Sequence, residues 1–275
     1  MTRLLIVPVV IATVIAVSCA EDHGHRSPET TAGIETRSGF AEIRGGRLYY
    51  ESAGSGDAVV LVHGNAGDRR HWDAQFHALA AGYRVIRYDV RGFGKSSLPE
   101  EDRPYSDHDD LATLLDHLGV DAAHVVGFSM GSAIVVDFAL AYPDRTRSLV
   151  AVGPWVFGYS SPAADRMFED FARVSAAMKD GGAAAAADAW MGAPFLQATI
   201  IDPAAGETLR KFVGEHSFWA FAHRTPQQPL QPSAAGRTGE IRAPTLILAG
   251  EHDIPACLEV ADLLDRSVPE SRKVI

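Results

Sequence analysis

Gly127-Phe128-Ser129-Met130-Gly131 lies where an apolar strand pattern gives way to an apolar helix pattern. On its N-terminal side His124-Val125-Val126 reads as the end of a buried strand spanning His124–Gly127. On the other side Ala133-Ile134-Val135-Val136 belongs to a helix over Gly131–Ala141. A reversal this sharp forces the central residue into strained backbone angles, and the flanking glycines leave room for neighbouring backbone. The Ser129 hydroxyl is then held at the carboxyl end of the strand, above the start of the helix. There the Met130 N–H can point at a developing oxyanion. A glycine-rich turn with an incidental serine would share the letters but not the strand–turn–helix setting.

Outward from this turn, strand and helix patterns alternate. Phe40–Arg44 and Leu48–Glu51 form short strands around Gly45-Gly46, a hairpin signal. Ala58–Val62 (AVVLV) is a continuous apolar run, as expected of a strand buried on both faces. Helical spacing marks Trp72–Ala81 and Leu111–Leu118, while Tyr83–Tyr88, Ser148–Val152 and Thr245–Ala249 read as further strands. The alternation predicts an α/β fold with a mostly parallel central sheet and helices on both faces. Residues 154–237 break the rhythm with helical, aromatic-rich stretches and a Pro/Gln-rich return, which predicts a helical cap inserted over the sheet edge.

With these segments in place the chain resembles the α/β-hydrolase superfamily, its serine branch above all, over roughly Phe40 to Ile275. Three further motifs carry the resemblance. His63-Gly64-Asn65-Ala66-Gly67 follows the Ala58–Val62 strand, where the family has its H-G-x oxyanion loop. Asp89-Val90-Arg91-Gly92-Phe93-Gly94-Lys95-Ser96 matches a D-x-R-G-x-G-x-S turn. Gly250-Glu251-His252-Asp253 follows a strand as G-x-x-D. The resemblance implies Ser129 as nucleophile and the backbone N–H groups of Asn65 and Met130 as oxyanion donors. Asp253 becomes the acid that orients a histidine. A helix N-cap is the alternative role for Asp253, and the two could coexist. His63 is read as structural, and Asp89 and Arg91 as a local pair shaping a loop. The implied substrate is a small, fairly apolar ester, lactone or related acyl compound. The branches resembled are enol-lactonases, carbon–carbon hydrolases and cofactor-free haloperoxidases, and no metal or organic cofactor is implied. A serine nucleophile excludes the branches that use an aspartate.

One element of the pattern is missing. The family order is nucleophile, acid, histidine, with the histidine just after the last strand. Ser271–Ile275 reads as the opening of that strand, and no histidine follows Asp253. A C-terminally truncated piece of an active enzyme is therefore expected. The alternative is an exported non-catalytic binding protein, or an inactive fragment, that retains the hydrolase pocket. Without an imidazole a serine hydroxyl stays protonated at neutral pH and attacks weakly.

The N-terminus and composition place the rest. Arg3, the apolar run Leu4–Val17 and Ser18-Cys19-Ala20 read as a secretory signal over residues 1–19. Ala16-Val17-Ser18-Cys19 resembles a bacterial lipoprotein box, which would lipidate Cys19 and make the membrane a partner only through that anchor. Plain secretion and an uncleaved anchor are the alternatives. Residues 20–38 are polar and aperiodic, the expected tether, with the hydrolase core expected over 39–153 and 238–275. The formal charge of −10 offers no basic field for displacing phosphate counterions, which argues against a nucleic-acid partner. With Cys19 lipidated, Cys257 has no disulfide partner.

Overall fold

The computed structural model describes residues 34–200, 202–223 and 226–275. The expected signal sequence, Cys19 and most of the expected tether lie outside them. An eight-stranded sheet runs in the order β1-β2-β4-β3-β5-β6-β7-β8. Its strands are β1 (Thr36–Ile43), β2 (Gly46–Ala53), β3 (Ala58–Val62), β4 (Arg84–Tyr88), β5 (Ala123–Phe128), β6 (Thr146–Val152), β7 (Thr245–Leu248) and β8 (Ser271–Val274). Only β1–β2 and β2–β4 pair antiparallel, and every other pairing is parallel. The expected mostly parallel sheet is therefore the one observed. Because β1 begins at Thr36, the folded body starts inside the stretch expected to be tether. Thr36, Arg37 and Ser38 pair with Ala53, Ser52 and Glu51.

β3 shows why an unbroken apolar run was needed. Val60 and Val62 pack on one face with α2 (Asp107–His117), α3 (Met130–Ala141) and α8 (Pro255–Ser267). Val59 and Leu61 pack on the other with α1 (Asp73–Leu79). Side chains alternate across a strand, so burial on both faces demands apolar residues at every position. All five are buried, each valine or leucine side chain contributing about 1.5–3 kcal/mol.

Between β6 and β7 the chain builds the helical insertion. It comprises α4 (Pro162–Met191, broken at Gly182), α5 (Gln197–Ile200), α6 (Pro203–Glu215) and α7 (Trp219–Ala222). Trp190 stacks on Phe171 at 5.6 Å, with Phe195, Phe218 and Phe221 around them, giving the insertion an aromatic core of its own. Its return segment is pinned to the body where Tyr105 and Gln227 form a parallel bridge. No helix among the described residues is long and apolar enough to cross a membrane.

Candidate active site

Ser129 sits between the last residue of β5 and the first of α3 with φ 53° and ψ −113°, a conformation that costs a non-glycine residue of order 1–3 kcal/mol. Its surroundings over-determine it. The Ser129 N–H donates to the Val152 carbonyl at 2.9 Å, and its own carbonyl accepts from Ser132 and Ala133 N–H groups at 2.9 and 3.3 Å. The motif glycines are required by packing. A Cβ on Gly127 would lie 2.2 Å from the Gly131 carbonyl oxygen. One on Gly131 would lie 2.3 Å from that of Val62 and 2.6 Å from that of His63. Their absence lets α3 start directly against the end of β3 and the loop that follows it.

That loop, residues 63–67, is the expected oxyanion loop, and the structure brings it into contact with the elbow. Gly64 lies under the Phe128 ring, where a Cβ would come within 2.7 Å of it. Neither the Asn65 nor the Met130 N–H has a protein partner among the described residues. Met130 opens α3, so its N–H has no intrahelical acceptor and lies at the positive end of the helix dipole. The Asn65 side chain accepts from the Ala66 N–H at 2.8 Å, which stabilises the left-handed turn at Ala66 (φ 51°).

His63 is locked in a structural role. Its Nδ1 donates to the Gly64 carbonyl at 2.7 Å and its Nε2 accepts from the Val90 N–H at 3.0 Å. Both nitrogens are therefore occupied and the tautomer is fixed. Burial pushes the ring down to about 4, so it is neutral at physiological pH.

Asp89 and Arg91 do not pair with each other, contrary to the sequence expectation. Asp89 accepts from the Arg69 guanidinium at 3.0 Å and from the Arg69 and Lys95 N–H groups. Arg91 makes a bidentate pair with Asp110, both contacts at 2.8 Å. Arg69 arrives on the short 3-10 turn Arg69–Trp72, and Asp110 on α2. Each side chain takes the partner that the sheet order brings beside it, and both remain loop-shaping residues.

Asp253 follows β7 in a tight turn, its N–H donating to the Gly250 carbonyl at 3.0 Å and its Oδ2 accepting from the Gly250 N–H at 2.9 Å. The side chain thus faces back along the loop, and Ile254 takes the N-cap position of α8. The N-cap alternative is not the geometry found. Asp253 lies near Cys257, whose thiol touches the Gly153 carbonyl at 3.9 Å. Gly153 follows β6 and borders the Phe128 ring, so Asp253 and Ser129 belong to one end of the sheet. Burial pushes the Cys257 thiol up to about 12, leaving a small apolar side chain rather than a reactive thiolate.

Three residues missed in the sequence, His71, Phe93 and His216, line the junction with the insertion. His71 lies edge-on to Phe128 at 5.9 Å and to Phe212 at 5.0 Å, and burial pushes it down to about 4. Phe93 packs edge-on to His63 at 5.2 Å and stacks on His216 at 5.2 Å. Phe93 occupies the variable position of the R-G-x-G turn, and that was its only sequence signal. Of the insertion's aromatics, Phe212 packs on His71, whose ring covers Gly67 of the expected oxyanion loop. Trp190 belongs to the insertion's core, Trp219 stacks on His223, and Trp155 packs on Tyr159 and Phe168. Among the described residues no cluster of His, Cys, Asp or Glu is arranged to hold a metal ion.

The chain is 38% identical over 120 residues to a 2-hydroxy-6-oxo-6-phenylhexa-2,4-dienoate hydrolase of Burkholderia cepacia, covering 42% of each chain. The match thus spans under half of that relative. A putative carbamate hydrolase RutD of Azorhizobium caulinodans is 30% identical over 236 residues, covering 82% of this chain and 84% of the relative. A bromoperoxidase from Bacillus anthracis superposes with a TM-score of 0.71 at 28% identity, over 86% of this chain and 90% of its own. The model for the alpha/beta hydrolase fold matches residues 57–275, from the start of β3 through β8. The strained serine, the glycines that let α3 abut β3, and this match lead to one assignment: the chain belongs to the alpha/beta hydrolase fold family.

Proposed function

We propose that the protein is a serine hydrolase of small carboxylic esters, lactones or related acyl compounds. The observation that carries this reading is the strained Ser129 elbow, followed by the Met130 N–H, which like that of Asn65 has no protein partner among the described residues. Ser129 Oγ forms a bond to the substrate carbonyl carbon, and the carbonyl oxygen takes up negative charge between the Asn65 and Met130 N–H groups. Each such donor contributes about 3–4 kcal/mol to the transition state. The tetrahedral adduct collapses, the alcohol leaves with the proton taken from Ser129, and water then releases the acid by the same route. Asp253 orients the histidine that carries this proton, and the family's chain order assigns that histidine to a position after β8. The likeness to a 2-hydroxy-6-oxo-6-phenylhexa-2,4-dienoate hydrolase, a putative carbamate hydrolase and a bromoperoxidase supports a hydrolase reading and leaves the acyl group to be found. Export through the residue 1–19 signal and lipidation at Cys19 belong to the same proposal.

The test is labelling of the naturally produced protein with a fluorophosphonate, with its C-terminal peptide mapped in the same sample. Labelling that disappears in Ser129→Ala supports the proposal. A folded natural protein that resists the reagent but binds hydrophobic ligands would instead be a binding protein built on a hydrolase scaffold.

A further inference from the structure

The C-terminal end of α6 touches the oxyanion loop and its supports at several points. His216, the residue after α6, stacks on Phe93 with an interplanar angle of 20°. Phe93 packs edge-on against His63, and His63 accepts the Val90 N–H while donating to Gly64, so its ring ties the oxyanion loop to the turn that holds Phe93. Phe218 backs His216 at 4.7 Å and is fully buried, although its own backbone is left-handed (φ 51°). A phenylalanine is held in that region only where surrounding contacts over-determine it. Phe212 lies edge-on to His71, whose ring covers Gly67, where a Cβ would come within 2.1 Å of Nε2. Glu215 closes the set from outside, pairing with Arg70 at 2.5 Å, and the Arg70 guanidinium lies over the Phe212 ring at 5.3 Å.

These contacts converge on residues 63–67. The loop contains two glycines and an alanine at positive φ, so its own chain gives it little stiffness. Its position must come from neighbours, and several of those neighbours belong to the insertion. An oxyanion hole works only if its donors are aimed before charge develops.

We propose that His216 and Phe93 are positioning residues through which the insertion holds the oxyanion loop in its working geometry, so that docking of α6 and assembly of the oxyanion hole are one event. The proposal rests on the hydrolase reading for its catalytic consequence, but the mechanical coupling stands apart from it. The role of His216 here is that of a flat aromatic face, not of a base. Burial holds its ring neutral at physiological pH, which suits stacking against Phe93.

Three variants of the full natural protein, His216→Ala, Phe93→Leu and His216→Phe, test this, with Lys211→Ala as a control. Two readouts are taken on each, amide hydrogen exchange across residues 63–67 and the kinetics of Ser129 with a fluorophosphonate and p-nitrophenyl butyrate. The fluorophosphonate's phosphoryl oxygen occupies the oxyanion position, so its rate reports the hole. His216→Ala and Phe93→Leu should each raise exchange across 63–67. Each should also slow labelling and kcat by about tenfold, with KM within about twofold of wild type. His216→Phe, which keeps the stacking face, should restore both readouts. Lys211→Ala, an exposed change on α6, should leave both at wild-type values. Unchanged exchange at 63–67 in both His216→Ala and Phe93→Leu overturns the coupling. So does a His216→Phe protein as impaired as His216→Ala. If Ser129 of the wild-type protein never labels, the hydrolase reading fails, and the exchange comparison still decides the coupling.

Discussion

Ser129 is both the candidate nucleophile and a strained residue, and the two properties can be separated by substitution. Glycine adopts φ 53° with ψ −113° without the Cβ clash that serine suffers. Ser129→Gly should therefore stabilise the fold by about 1 kcal/mol while abolishing fluorophosphonate labelling. Urea unfolding of variant and wild type, with m-values compared, reads the first effect; a less stable variant would mean that the hydroxyl contributes more than the strain removes. At this scale the sequence was readable wherever a residue type answers a purely local demand. The glycines at 127 and 131 are needed because backbone passes within van der Waals contact, and their spacing announces it. Asp89 and Arg91 were misread as partners because the choice of ion pair depends on Arg69 and Asp110, which only the folded sheet brings near. Phe93, His71 and His216 were missed for the same reason. Nothing in a single aromatic side chain says which loop it will press against.

The element that best shows what sequence patterning hides is α2. Its apolar residues from Leu111 onward were legible as a helix, but its first turn, Asp107-His108-Asp109-Asp110, was not included. Acidic side chains favour a helix N-terminus because its free N–H groups and dipole attract them. Here two of them are also buried. Asp107 accepts from the Gln227 side chain of the insertion's return segment, and its other oxygen has no partner. Burial, then the nearby Asp110, pushes its carboxyl up to about 7. The folded state thus binds the Asp107 proton more tightly than the unfolded chain, whose value is near 3.8. That contribution to stability is present below about pH 4 and is lost as pH rises through 7. Asp107→Asn, which can still accept from Gln227, should match wild type near pH 4 and exceed it by about 1–3 kcal/mol at pH 8. Urea midpoints across this range check the claim; a stability difference that does not change with pH would refute it.

For the molecule as a whole, strand–helix alternation sufficed to predict a mostly parallel sheet, because βαβ units leave few other arrangements. Strand order was not legible, since it is fixed by which crossovers pack and not by any one segment. The insertion was recognised by its break in rhythm, and its independent aromatic core predicts partly independent stability. Trp190→Ala should remove about 3–5 kcal/mol of packing from that cluster. Hydrogen exchange should accelerate across α4 and α6 and stay slow in β3 and β5. Uniform acceleration through the sheet would show that insertion and body unfold as one unit.

The insertion leaves the sheet after β6 and returns to β7, its hydrogen-bonded neighbour. From the sheet's side it is therefore one closed loop between adjacent strands, and the entropy of closing such a loop grows only with the logarithm of its length. Doubling it would cost the body about 0.6 kcal/mol. On the hydrolase reading, a lineage built on this plan is free to lengthen, shorten or exchange the proposed substrate-facing segment while the serine elbow stays put. Any such graft that loses its grip on residues 63–67 would inherit a correctly folded nucleophile and a slack oxyanion loop. Substrate range can then diverge quickly, but catalytic rate should recover only where a new segment finds its own way to brace that loop.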